Sequence, residues 1–133
     1  MKNYILFAGL LIIIFSSCEK KKIEFDPEYL LIGTWSFNDY QDNSTIYQRS
    51  KELNDNYPGY IFLSDGSLIE RKNAGWCGTP PVSYSNYDGK WSIINDTLIE
   101  VNVGYWGGTI RYKLDIESIT NTSLKLTYIQ WEK

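Results

Sequence analysis

The sequence predicts an all-β fold, a small antiparallel up-and-down β-barrel of about eight short strands behind an N-terminal segment of different character. Three observations point there. Apolar and polar residues alternate with period two through the C-terminal half, short turn signals recur between those runs, and no sustained helical period interrupts them.

The clearest strand is Ile110, Tyr112, Leu114 and Ile116 alternating with Arg111, Lys113, Asp115 and Glu117, apolar side in and charge out. Leu124, Leu126 and Tyr128 repeat the pattern with Lys125 and Thr127, and Thr120-Asn121-Thr122 makes the turn between the two. Upstream, Tyr60-Ile61-Phe62-Leu63 and Leu68-Ile69-Glu70-Arg71 flank Ser64-Asp65-Gly66-Ser67, a hairpin with Gly for a positive φ. Lys90 to Ile94 and Thr97 to Val101 flank a two-residue turn at Asn95-Asp96. The first strand runs from Gly33 to about Asp39, and Ser44 to Leu53 reads as either a strand or a short helix. Tight consecutive turns in so small a domain favour a barrel, which leaves no open edge, over a two-sheet sandwich with crossing connections.

The N-terminus is different. Met1-Lys2-Asn3 precedes an apolar run from Tyr4 to Phe15 and then Ser16-Ser17-Cys18. A spanning helix needs about 20 apolar residues, so this run is too short to cross a bilayer. Charged start, apolar run, small residues and cysteine resemble a bacterial lipoprotein signal peptide. The resemblance implies a leader at 1–17, a lipidated tether at 18–30 and a barrel domain at 31–133. It also implies diacylglycerol and palmitate on Cys18, hence anchorage to the membrane, in the outer membrane of the cell envelope. One acyl chain binds marginally, at about 0.8 kcal/mol per buried methylene, so a multiply acylated cysteine would hold firmly. Lys20, Lys21 and Lys22 read as the start of a solvated tether or as contacts to anionic headgroups. Asp26-Pro27-Glu28 can open one helical turn, with Asp26 as cap and Pro27 first.

Composition excludes several functions. Lys2 is the only leader residue among 13 basic ones, so the mature chain carries 12 against 16 acidic residues, a net −4. It has no basic stripe with interleaved aromatics, which argues against nucleic acid. Histidine is absent, removing the usual general base and the commonest transition-metal ligand. No Gly-x-Ser-x-Gly, phosphate loop or metal-ligand spacing appears, so neither a cofactor nor an enzymatic site is expected. The chain has two cysteines; with Cys18 lipidated, Cys77 has no partner and reads as a shielded thiol or a reactive one.

Leu31-Ile32-Gly33-Thr34-Trp35, followed by Gly89-Lys90-Trp91-Ser92-Ile93 and a strand pair ending in Leu124-Lys125-Leu126, resembles the lipocalin-like lipoproteins common in Bacteroidetes. The resemblance spans roughly Leu30 to Trp131. It implies that Gly33 and Trp35 open the first strand, with Trp35 plugging the barrel base, and that the barrel holds a small apolar or amphipathic ligand. Cargo-carrying members pack an Arg near the last strand on this Trp; the last strand here offers Lys125 and Lys133 instead.

Trp35 and Trp91 lie inside strand patterns and read as core. The segment Asn73 to Tyr84 is rich in Gly and Pro and carries Trp76, Cys77 and Tyr84, while Gly104-Tyr105-Trp106-Gly107-Gly108 forms a second aromatic loop. Trp76, Tyr84, Tyr105 and Trp106 at a barrel mouth could close over a ligand, fold back to cover the barrel end, or present a patch to a protein partner, as in small barrel lipoproteins that inhibit lysozyme. Asp96-Thr97-Leu98 resembles the short O-glycosylation sites of Bacteroidetes. Asn43, Asn95 and Asn121 begin eukaryotic N-glycosylation patterns, which carry no expected consequence in a bacterial lipoprotein.

Overall fold

The computed structural model describes residues 27–75 and 82–132. One helical turn, α1 (Pro27–Leu31), leads into eight strands: β1 (Gly33–Gln41), β2 (Ser44–Ser50), β3 (Gly59–Phe62), β4 (Ser67–Asn73), β5 (Tyr84–Ile93), β6 (Leu98–Tyr105), β7 (Gly108–Ile119) and β8 (Ser123–Glu132). They close into an antiparallel barrel, the expected fold. Pro27 stands first in α1, where its missing N–H costs nothing. The leader, most of the tether, Cys18, Trp76 and Cys77 lie outside the described residues.

The order around the barrel is β1-β2-β8-β7-β6-β5-β4-β3. Every turn but one joins neighbours. The exception is β2 to β3, which lie on opposite sides of β1. Residues 51–58 therefore cross β1, and they do so on its outer face. Trp35 points inward, so Ser36 points outward, and the Ser36 hydroxyl donates to the Glu52 carbonyl at 3.4 Å. The Phe37 N–H donates to Pro58 O at 3.0 Å, and Arg71 on β4 reaches Asp55 O at 3.0 Å. Gly59 is needed at this crossing, because a Cβ there would lie 2.5 Å from Trp35 O.

Ser44–Leu53 resolves as a strand to Ser50, since β2 is the piece that closes the barrel against β8. Tyr84 and Tyr105, read as loop residues, are the first of β5 and the last of β6. The Asn95-Asp96 turn is wider than two residues: Ile94 N–H and Asn95 N–H both donate to Leu98 O, and Asn95 Oδ1 accepts Thr97 N–H and Leu98 N–H.

Period-two burial fills the lumen. Leu31, Trp35, Phe62, Leu68, Ile99, Val101 and Leu124 are fully buried. A line of rings runs along the interior, with Trp91–Phe62, Phe62–Tyr60 and Tyr60–Tyr47 centroids 5.4 to 5.5 Å apart. Strand direction defines two ends. α1 and the turns at 63–66, 94–97 and 120–122 gather at one, the base; the turn at 42–43, the end of β4, the start of β5 and the turn at 106–107 gather at the other, the mouth. Every buried core residue among those described lies between Leu31 and Leu126.

Candidate functional site: a polar cluster in the barrel lumen

β4 carries Leu68, Glu70 and Lys72 on one side by alternation, and Leu68 is buried in the lumen. Glu70 and Lys72 therefore also point inward, on successive levels from base to mouth. Their side chains are only 12% and 22% exposed, and Lys72 Nζ lies 2.8 Å from Glu70 Oε2. The other carboxylate oxygen accepts the Tyr60 hydroxyl at 3.2 Å. Tyr60 and Tyr112 join hydroxyls at 2.9 Å across the lumen, so Tyr112 reaches Glu70 through Tyr60. Lys72 sits 5.4 Å from the Tyr87 ring centroid, and the Tyr87 hydroxyl donates to Ala74 O at 3.3 Å.

The electrostatics follow from burial. Tyr47, Tyr60 and Tyr112 are pushed well above the ordinary phenol value, first by desolvation and next by the nearby Glu70 charge. Tyr128, stacked on Tyr112 at 5.1 Å, is pushed up to about 12 for the same two reasons. These phenols stay neutral at physiological pH and act as hydrogen-bond donors. The cluster can hold a polar group by charge and hydrogen bonding. It offers no nucleophile paired with a base, and no three potential metal ligands come together among the described residues.

The lumen thus has two halves. The base half is packed with Trp35, Phe62, Leu68, Trp91, Ile99 and Leu124. The mouth half holds tyrosines around one ion pair. Gly33 opens β1 at φ +134°, and its backbone is crowded by Arg49. Trp35 is buried at the base, where its indole N–H donates to Leu31 O at 2.8 Å. The Arg that packs on Trp35 is Arg49 of β2, 4.2 Å from the ring centroid, rather than a residue of the last strand. β2 adjoins both β1 and β8, so the crossed order of the first strands puts Arg49 there.

Tyr105 and Trp106 meet edge to face at 5.6 Å on the mouth turn. Trp106 is 55% exposed. The Tyr105 ring lies over its own turn, since a Cβ on Gly107 would be 2.6 Å from it. Tyr84 is half-buried at the start of β5, at the same end. The polar cluster itself escaped sequence reading, although a signal was present: Glu70 and Lys72 share parity with Leu68.

No family model matches the chain, and neither a curated protein nor a solved structure shows significant similarity to it. Fold and site together define a closed eight-stranded barrel with a packed base and a charged, tyrosine-lined upper lumen.

Proposed function

We propose that this chain is a cell-envelope lipoprotein, anchored through Cys18, whose barrel binds a small amphipathic molecule in the mouth half of its lumen. The observation that carries the reading is the Glu70–Lys72 pair inside the barrel. Enclosing two charges costs several kcal/mol of desolvation per ion, and an apolar pair of the same volume would serve a filled core as well or better. A charged pair retained within reach of solvent is a recognition element. The cluster lies on the mouth side of the packed base, where a ligand can approach. An eight-stranded barrel has room for one small ligand at most, and here the base half is already occupied. The sequence lacks histidine, so the reading is of a binding module rather than an enzyme.

The leader-like segment and Cys18 support an envelope address in the outer membrane. The anchored segment joins the barrel through α1 at the base, so the mouth faces away from the anchored end. The lipocalin-like resemblance fits this arrangement, with Gly33 and Trp35 at the base and Arg49 packed on Trp35.

Native mass spectrometry of residues 22–133, exposed to an extract of the producing cell's envelope, tests the reading. A discrete added mass that is lost on denaturation is expected. A bare mass across repeated extracts overturns it. In that case a protein-docking role gains ground, because Trp106 stands out at the mouth turn beside Tyr105. Trp106→Ala would then abolish capture of the partner without altering the lumen.

A further inference from the structure

Resting on the ligand-binding reading, we infer that the bound molecule carries an anionic head, a carboxylate or a phosphate, which enters head-first onto Lys72 and leaves its apolar tail at the mouth. Hydrogen-bonding capacity in the cluster points to the charge of the head. Glu70 accepts from Tyr60 on one oxygen and from Lys72 on the other. The Tyr60 and Tyr112 hydroxyls are engaged with each other and with Glu70. An ammonium has three donors. Among the described residues Lys72 spends one of them, on Glu70, and turns toward the Tyr87 ring. Lys72 thus keeps donors in hand on the mouth side of the cluster, and they call for an acceptor.

Position fixes the sign of the charge. β4 runs from base to mouth, so an entering ligand meets Lys72 before Glu70. A cationic head would meet the like charge first and would compete for a carboxylate that Lys72 and Tyr60 already engage. An anionic head gains a charge-assisted hydrogen bond without breaking the existing pair.

Position also fixes the orientation. Below Glu70 the lumen is filled by Leu68, Phe62, Trp91 and Trp35, all buried. A tail cannot pass beneath the head. It lies instead against the mouth wall, where Tyr128 of β8, stacked on Tyr112, is 41% exposed.

Titration calorimetry of residues 22–133 with single-chain amphiphiles, below their micelle concentrations, tests this. The probes are decanoate, decyl phosphate, decanol and decyltrimethylammonium, with octanoate and dodecanoate to vary the tail. At least one anion is expected to bind about tenfold or more tighter than decanol, with the cation weakest. The preferred anion separates a carboxylate source from a phosphate one. Affinity is expected to rise much less than the roughly fourfold per methylene of a fully buried tail. Lys72→Met should reduce the preferred anion to the affinity of decanol while the near-ultraviolet spectrum is kept. Equal binding of anion and decanol, tighter binding of the cation, or a fourfold gain per methylene overturns the inference and leaves a ligand-binding barrel. Binding by none of the probes, together with a bare mass from the extract, overturns both. The headgroup comparison uses the unaltered barrel, so it stands even if Lys72→Met fails to fold.

Discussion

Arg49 ties the base of the barrel together, and removing it should cost more than any surface substitution. Its guanidinium donates to Ile32 O at 2.9 Å, to Leu30 O at 2.5 Å and to Asn121 O at 2.6 Å, while lying over the Trp35 ring. One side chain thus joins α1, the start of β1 and the β7–β8 turn. Arg49→Met keeps most of the aliphatic stem and removes the donors. Hydrogen bonds from a charged donor contribute about 1.5–3 kcal/mol each when fully shielded. These carbonyls border a groove lined by Tyr29, Leu30, Ile32 and Asn121, where water can replace part of the loss, so about 1 kcal/mol each is the better figure. The ring contact adds about 0.5–2 kcal/mol. The expected destabilisation is about 3–5 kcal/mol, a large share of the roughly 5–15 kcal/mol that holds a domain folded. Arg49→Lys keeps the charge but not the planar fork that reaches three acceptors, and should lose about 2 kcal/mol. Urea unfolding followed by tryptophan fluorescence measures both, with the midpoint falling and the slope unchanged. A loss below about 1 kcal/mol for Arg49→Met, or a lysine variant as stable as the parent, would refute the reasoning that Arg49 fastens the base.

Two further predictions concern pH. Tyr47, Tyr60 and Tyr112 are raised by burial and by Glu70, so they bind their protons more tightly folded than unfolded. Their contribution to stability is complete below the ordinary phenol pKa of about 10 and is lost as pH rises above it. Absorbance titration should show these phenols ionising only together with loss of the barrel's circular dichroism; smooth ionisation of all ten tyrosines of residues 22–133 in an intact barrel would contradict this. Glu117 is held at about 2, chiefly by the Thr127 hydroxyl, then by the Ser44 hydroxyl at 2.8 Å and Lys125 at 3.1 Å. A depressed carboxyl stabilises above its usual value of 4.5, and that stability disappears as pH falls toward 2. The difference in melting temperature between the parent and Glu117→Gln should therefore be present at pH 6 and shrink steadily below pH 4.5; a difference independent of pH would dismiss the Ser44–Thr127–Glu117 seam as a source of stability.

Sequence reading reached the strands through burial parity. Ile110 to Ile116 and Leu124 to Leu126 alternate cleanly because one face of each strand meets the lumen and the other meets water. It reached Trp35 and Trp91 as core for the same reason. It stopped at strand ends, as at Tyr84 and Tyr105, because the ladder extends wherever a neighbour offers hydrogen bonds, and composition does not reveal the neighbour. Mouth loops drew attention through their aromatics, yet Tyr105 covers its own turn. Glu70 and Lys72 drew no reading as a site, since charge ordinarily marks the outer face of a strand. Parity with Leu68 placed them inside, and the cluster is completed by Tyr60 of β3 and, through it, Tyr112 of β7, far away in the chain.

By itself, then, the sequence determined that the C-terminal hundred or so residues form short antiparallel strands around a tryptophan-rich interior, because alternation and turn chemistry are local. Tertiary structure alone decided three things. It decided that β2 and β3 flank β1 rather than each other, a matter of which free edges meet. It decided that Arg49 covers Trp35, which follows from that order. It also decided that an ion pair and three tyrosines converge in the upper lumen, because hydrogen bonds between side chains on different strands exist only once the barrel has closed.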